Sequence, residues 1–162
     1  VYITKVKKYK KVLEFICVLI SLVFFTNYFL NFINVYPVQS SSDWQYGYKS
    51  IFINYKDRFS LYDYVLISNQ YAQPYIFGLY YLKYDPSRFL KEVTRNSVDK
   101  QDFSSVKSFN KFIFEKITLD IIPEGKSLIF ASITDKLISR SYKDVVNNLD
   151  GSVAFYVYEY EK

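Results

Sequence analysis

The pattern of apolar and polar residues divides the chain into one long apolar run and a remainder that alternates between helical and strand periods. The run extends from Val12 to Tyr36, and Glu14 is its only charged side chain. At about 1.5 Å per residue, a helix over this run would be ~35 Å long, enough to cross a hydrocarbon core ~30 Å thick. The run therefore predicts a transmembrane helix over residues 12–36.

The flanks of the run predict its orientation. Lysines precede it at positions 5, 7, 8, 10 and 11 with no acid among them, whereas no Lys or Arg follows it through Ser42. The positive-inside rule then makes residues 1–11 a cytoplasmic flank. Residues 37–43 are predicted to be a linker, and residues 44–162 a domain outside the cell membrane.

A cleavable signal peptide is the alternative interpretation of the run. The apolar core of a signal peptide has about 7 to 15 residues and ends in small residues. This run is longer and ends in Asn34, Val35, Tyr36 and Pro37, so we expect a helix that is not cleaved. The sequence contains no Met, and we expect it to be the C-terminal piece of a longer protein with further spanning helices. A shortened single-pass protein would give the same pattern.

Helical periodicity begins soon after the linker. Apolar side chains recur at helical spacings, with Ser42 or Asp43 placed to cap the helix; they are Trp44, Tyr48, Ile51, Phe52, Tyr55 and Phe59. The uninterrupted apolar run from Tyr64 to Ile67 is typical of a strand buried on both faces of a parallel sheet. The polar residues from Ser68 to Gln73 are predicted to form the loop at its carboxyl end.

The rest of the chain predicts two more helices and several strands, the last of them rich in aromatic residues. Pro74 suits the first turn of a helix that continues to Leu82, and Asp85 with Pro86 predicts a cap before a helix over residues 87–93. Residues 96–108 have no clear period and are predicted to be a loop. Strands are predicted at residues 111–117, 128–132 and 153–159, with Asp150-Gly151 as the turn of a hairpin to Val145 and Val146.

Alternating helices and strands favour the α/β class. We expect a small three-layer, Rossmann-like sandwich of about 120 residues, an ordinary size for one domain.

The charge of the chain is concentrated near its N-terminus. The net charge is +5, and residues 1–36 contribute +4 of it through five Lys and one Glu. The outer domain is therefore nearly neutral and lacks the basic stripe that phosphate neutralisation requires, so we expect no nucleic-acid partner. The 18 Tyr and 15 Phe more often indicate core and interface packing than base stacking.

Several residue types are absent, which narrows the chemistry. The chain has no His, so it has no Ser-His-Asp or Cys-His nucleophile and no common zinc ligand set. Cys17 is the only cysteine and cannot form a disulfide within the chain, and the four glycines are too scattered for a phosphate-binding loop. We predict no metal and no cofactor, and we assign no catalytic residue.

Two groups of residues are candidates for binding. Asn69, Gln70, Tyr71 and Gln73 follow the predicted central strand, where open α/β sheets bind ligands, and their amides and phenol suit a sugar. An ordinary strand-to-helix loop is the alternative. The second group, Trp44, Tyr46 and Lys49, follows the membrane helix. Such residues are common at headgroup depth, so we expect a membrane-interface anchor that contacts lipid, rather than a site for a lipid phosphate.

The order of several short motifs resembles a known family. They are Trp44-Gln45-Tyr46-Gly47-Tyr48-Lys49 after a membrane helix, Tyr62-Asp63 before a strand, Gln70-Tyr71-Ala72-Gln73-Pro74-Tyr75-Ile76-Phe77, Lys83-Tyr84-Asp85-Pro86, and Asp150-Gly151 before an aromatic strand. From about Lys11 onward the chain resembles the C-terminal region of bacterial GT-C type membrane glycosyltransferases. These are relatives of the dolichyl-phosphate-mannose protein mannosyltransferases and the lipid A aminoarabinose transferases.

The resemblance implies an integral membrane enzyme that transfers a sugar from a polyprenyl-phosphate donor to an extracytoplasmic acceptor. In that family the catalytic carboxylate lies in the first outer loop, in a segment that this sequence does not contain. The fragment would then be accessory. The alternative, from a different class, is a single-pass anchored α/β domain that binds a partner in the cell envelope without catalysis.

Overall fold

A computed structural model describes residues 2–98, 104–135, 137 and 141–162, with the side chains of residues 2–8 left out. The chain divides into two compact units, Val1–Ser40 and Ser41–Lys162.

The first unit is a long helix followed by a short one. Helix α1 spans Tyr2–Asn34, so it ends two residues before the predicted membrane helix does. The four-residue helix α2, Tyr36–Gln39, begins at the last residue of that predicted helix and extends into the predicted linker. Within the described residues, Tyr9–Gln39 is the single segment long and apolar enough to cross a membrane by length and composition. These properties fit a membrane anchor and a signal sequence alike.

The described residues of the second unit form three α-helices, two 3₁₀-helices and a sheet. The α-helices are α3 (Tyr46–Asn54), α4 (Tyr75–Tyr81) and α5 (Pro86–Glu92), and the 3₁₀-helices are Lys56–Leu61 and Leu119–Ile121. The strands are β1 (Tyr64–Ile67), β2 (Thr94–Arg95), β3 (Val106–Phe109), β4 (Phe112–Phe114), β5 (Lys126–Ala131), β6 (Asp144–Asn147) and β7 (Val153–Glu161).

The strands form one seven-stranded mixed sheet in the order β2-β3-β4-β1-β5-β7-β6. Strand β1 is parallel to both of its neighbours, with Leu66 opposite Ile113 of β4 and Ile129 of β5. The remaining pairs are antiparallel. The prediction of β1 as a central strand is confirmed, because its continuous apolar run supplies side chains to both faces of the sheet.

The two faces of the sheet are covered differently. One face packs against α3, α4 and α5 in an aromatic cluster that includes Phe52, Phe89, Phe109 and Phe155. The other face has a smaller cluster in which Leu66 and Ile129 meet Ile117 and Ile122, beside the second 3₁₀-helix. Among the described residues of this unit, the second face carries no α-helix. It therefore differs from the helical third layer of the predicted Rossmann-like sandwich.

The start of the outer domain departs from the sequence prediction. The predicted first helix is interrupted after Asn54 and resumes as a 3₁₀-helix, and Trp44 lies before it, 68% exposed. The other residues of the predicted apolar face are buried, and they are Tyr48, Ile51, Phe52, Tyr55 and Phe59. The N-cap is Gln45 in the left-handed conformation (φ 56) without a side-chain cap bond, so the prediction that Ser42 or Asp43 caps the helix is wrong.

The later helices agree better with the prediction. Pro74 is the residue before α4, and the Asp85 carboxylate accepts a bond from Arg88 N at 2.7 Å, which confirms the predicted cap of α5. The predicted hairpin at Asp150-Gly151 joins β6 to β7.

The predicted loop over residues 96–108 is wrong at its end, where β3 begins at Val106. Residues 99–103 of that loop lie outside the described part. The antiparallel partner β4 begins at Phe112, three residues after β3 ends at Phe109. A tight hairpin that the polar sequence did not reveal therefore forms here.

Candidate functional site

Three loops meet at the carboxyl ends of the central strands β1, β4 and β5, and we call this place the candidate edge. Because β1, β4 and β5 run parallel, the chain leaves all three at the same edge. After β1 the chain continues to α4 and α5, and after β5 it continues to β6 and β7. An edge of this kind, beyond the carboxyl ends of parallel strands, is where open α/β sheets place ligands.

A buried tyrosine holds the loop after β1 in place. The Tyr48 hydroxyl donates to the Ser68 carbonyl at 2.7 Å and accepts from Tyr71 N at 3.3 Å. Burial raises the pKa of this phenol, so it remains a neutral donor at physiological pH. Tyr48 comes from α3, and its ring packs on Phe155 of β7 with centroids 5.0 Å apart. The loop is thus fixed by the core beneath it.

The loop contains a residue in an unfavourable backbone conformation. Ala72 has φ 83, in the left-handed region that favours glycine. Its N–H donates to the Asn69 carbonyl at 3.2 Å, which closes a turn before α4. Such a conformation costs about 1 to 3 kcal/mol and persists where the surroundings determine it. The turn keeps Asn69 and Gln70 beside the strand ends.

The structure places the four predicted loop residues in different surroundings. Gln70 and Gln73 are exposed, whereas Asn69 and Tyr71 are half-buried. The Tyr71 ring packs edge-on against Tyr48 and Phe155, and burial, followed by the nearby charge of Asp135, raises the pKa of its phenol. Asn69, Gln70 and Gln73 therefore form the polar surface, while much of Tyr71 belongs to the core.

One hydrogen bond joins the loop after β1 to the loop after β5. Thr134 Oγ1 donates to Gln70 Oε1 at 2.7 Å, and both residues are exposed. Gln70 uses its amide oxygen in this bond, and Thr134 Oγ1 also lies 3.0 Å from Ser132 Oγ. The two loops together present amides and hydroxyls along the edge.

Asp135 organises the same edge and was missed in the sequence analysis. It is 2% exposed. Its carboxylate accepts bonds from Ile117 N at 3.0 Å, Ser132 N at 2.6 Å and Ser132 Oγ at 2.8 Å. These bonds tie the segment after β4 to the loop after β5. Ser132 ends a predicted strand, and Thr134 and Asp135 follow it. A Ser and an Asp at this spacing are typical of a turn closed by side-chain hydrogen bonds, and this was the available signal.

A second polar network lies beside β6 and β7. The Tyr55 hydroxyl donates to Asp144 Oδ2, and Glu159 accepts bonds from both Arg58 at 2.6 Å and the Tyr62 hydroxyl at 2.8 Å. The bond from Tyr55 holds the pKa of Asp144 below its ordinary value. These bonds join α3 and the first 3₁₀-helix to β6 and β7, so the network has a structural explanation.

The predicted membrane-interface residues lie at the start of the second unit. Trp44 is exposed, and Tyr46 and Lys49 are half-buried. The Lys49 Nζ lies 5.3 Å from the centroid of the Tyr46 ring, a cation–π distance. The lysine and the tyrosine thus pair with each other, and the Trp44 ring is more exposed than the Tyr46 ring.

The described residues contain no group of three or more His, Cys, Asp or Glu side chains that could hold a metal. Comparison of the chain with protein-family models, with curated proteins and with solved structures finds no match, so the family resemblance stays a prediction.

Proposed function

We propose that this chain is the C-terminal part of an integral membrane glycosyltransferase that takes sugar from a polyprenyl-phosphate donor. In this proposal α1 spans the membrane with its lysine-rich end in the cytoplasm. The second unit is extracytoplasmic and accessory, and it helps to position the sugar or its acceptor. The motif order described above and the length and apolar character of α1 support the proposal.

The observation that carries the proposed binding role is the polar edge formed by Asn69, Gln70, Gln73 and Thr134. Side-chain amides and hydroxyls are the groups that hydrogen-bond to sugar hydroxyls. The buried side chains of Tyr48 and Asp135 hydrogen-bond to the main chain of these loops, so the loops that carry the polar groups are fixed in position. Preorganised groups lose less conformational freedom on binding a ligand.

The surroundings of three carboxylates make each of them a poor general base, in keeping with an accessory role. A general base needs a carboxylate with room to accept a proton from the substrate. Asp135 already accepts three hydrogen bonds in the interior. Glu92 and Asp144, whose pKa values are lowered, accept bonds from Tyr84 and Tyr55 respectively. The catalytic carboxylate would then come from the part of the parent enzyme that the resemblance places upstream.

Nuclear magnetic resonance of the detergent-solubilised chain tests the binding role. A polyprenyl-phosphate-linked hexose would be titrated into labelled protein, with the same lipid phosphate without sugar as the control. We expect sugar-dependent shifts at residues 68–73 and at Thr134. Gln70→Ala with Gln73→Ala should weaken them, whereas Asn147→Ala, an exposed change on β6, should not.

Two results would contradict the proposal. If the resonances of these residues did not shift, or shifted equally with the lipid phosphate that lacks the sugar, the proposed sugar-binding role would be wrong. Sugar transfer by this chain alone would refute the accessory role. The upstream gene sequence gives an independent check: several hydrophobic spans with an acidic first outer loop support the transferase, and a start codon just before Val1 supports the single-pass alternative.

A further inference from the structure

Three asparagines form a stripe along α1. Asn27, Asn31 and Asn34 are separated by four and three residues, and at 100° per residue they fall within about 60° of the helix circumference. All three are exposed in the described structure. The same half of the helix carries aromatic rings on other faces, with Phe25 stacked on Phe29 and Tyr28 on Phe32, each pair at 6.0 Å. The polar stripe and the Phe25–Phe29 pair face opposite directions.

The hydrogen bonds of these asparagines stay within the helix. Asn31 Nδ2 donates to the Asn27 carbonyl at 2.9 Å and to Asn27 Oδ1 at 3.0 Å, and Asn34 Nδ2 donates to the Leu30 carbonyl at 3.0 Å. Each bond uses an amide nitrogen as the donor. Among the described residues, the amide oxygens of Asn31 and Asn34 accept no hydrogen bond, although each has two lone pairs.

The stripe extends into the apolar part of the proposed membrane span. Counted from Val12, Asn27 lies ~22 Å along the helix axis and Asn31 ~28 Å, both inside a hydrocarbon layer ~30 Å thick. Lipid tails offer no hydrogen bonds, and an amide exposed to them is unfavourable by several kcal/mol in general. Asparagines in membrane helices therefore tend to hydrogen-bond to a neighbouring helix.

We propose that α1 pairs with α1 of a second copy of this chain through the stripe of Asn27, Asn31 and Asn34. An amide carries both donors and acceptors, so two identical stripes related by a two-fold axis are complementary to each other. A groove of about 480 Å³ borders the stripe between Asn31 and the rings of Tyr28 and Phe32. It offers room for a partner side chain. The inference rests on the membrane location in the proposed function.

Energy transfer between labelled copies of the whole chain in phospholipid vesicles tests the pairing. The label would be attached to Ser42→Cys, an exposed position, in a Cys17→Ser background. Asn27→Leu with Asn31→Leu keeps the helix apolar, so it should still insert. We expect energy transfer to disappear at a lower ratio of lipid to protein in the variant, by about three- to tenfold for each asparagine removed.

The matched control replaces the opposite face, with Phe25→Leu and Phe29→Leu, and should leave the pairing unchanged. Equal pairing by the wild type and the asparagine variant, or an equal loss in the phenylalanine variant, would overturn the assignment to this stripe. Resistance to alkaline extraction separates the two proposals. A chain that is inserted but monomeric overturns the pairing alone and leaves the stripe to a further spanning helix of the parent enzyme. A chain that alkali extracts overturns the membrane location as well.

Discussion

At the scale of single residues, the buried polar groups fix the candidate edge. Tyr48 and Asp135 each make bonds to main-chain groups of neighbouring loops. A polar group buried with its partners satisfied contributes about 0.5 to 1.5 kcal/mol per bond, and more where an ion takes part, whereas a partner left unsatisfied is destabilising. The geometry of the exposed amides therefore depends on two side chains that no ligand would touch.

Asp135→Asn is the sharpest test of this dependence. The amide would direct a donor at one of the N–H groups whose bonds Asp135 now accepts, so we expect the free energy of unfolding to fall by about 2 to 4 kcal/mol. Urea denaturation of the detergent-solubilised chain, followed by near-ultraviolet circular dichroism, measures it. Asp57→Asn, at an exposed position, is the control and should change stability by less than about 0.5 kcal/mol. Equal stability of the two variants would show that Asp135 is dispensable.

The pair of Tyr55 and Asp144 makes a prediction about pH. The pKa of Asp144 in the folded chain lies below its ordinary value of 3.8. The stabilisation from Tyr55 is therefore present above that ordinary value and is lost as the pH falls through the lower folded value. The wild type should be more stable than Tyr55→Phe at pH 7, with the difference shrinking below pH ~4.

Urea denaturation of both proteins at a series of pH values measures this difference. The control repeats the comparison in an Asp144→Asn background, where the residue at position 144 no longer titrates. The loss of stability caused by Tyr55→Phe should then be the same at every pH in this range. If the loss still shrank below pH ~4, a group other than Asp144 would be responsible.

At the scale of elements, close packing joins α3 to β7. A Cβ on Gly47 would lie 2.5 Å from Ala154 Cβ and 2.8 Å from Phe155 Cε2. These distances are shorter than van der Waals contact, so the helix approaches the strand only because Gly47 has no side chain. The approach also sets the position of Tyr48, the next residue, whose hydroxyl holds the loop after β1. The packing of α3 on β7 therefore affects the position of the loop after β1.

Gly47→Ala tests this coupling. We expect the added methyl to lower the free energy of unfolding by about 1 to 3 kcal/mol, or more if the strand cannot move. Ala154→Gly removes one of the two clashing atoms, so the double variant should lose less stability than the sum of the single variants. Thermal unfolding of the four proteins gives this coupling energy. Strict additivity would mean that α3 does not pack on β7 through these residues.

At the scale of the whole molecule, the two units have different physical character. The first unit is an apolar helix whose side chains in the described part are exposed, and the second unit has its own core on two faces of a sheet. An exposed apolar helix of this length is stable in lipid rather than in water. The nearly neutral second unit has no comparable apolar run. The proposed topology requires this difference, because it places the apolar helix in the membrane and the second unit in water.

Thiol labelling in intact cells tests that topology. In a Cys17→Ser background, Ser42→Cys should react with a membrane-impermeant reagent, and Tyr9→Cys should react only after the cells are lysed. Both positions are exposed in the structure, unlike Ser41, which is 2% exposed and would be a poor reporter. Labelling of Tyr9→Cys alone in intact cells would place the second unit in the cytoplasm.

The sequence by itself determined the elements whose signals are local. The apolar run of α1, the strand β1, the Asp85 cap and the Asp150-Gly151 hairpin all follow from neighbouring residues, because burial on both faces, a cap and a turn each need a short pattern. The tertiary structure decided the rest. The close approach of Gly47 to β7 and the cluster on the second face depend on contacts between distant segments. Asp135 illustrates the reason, since Ile117, 18 residues away, supplies one of its donors, and no local pattern encodes that meeting.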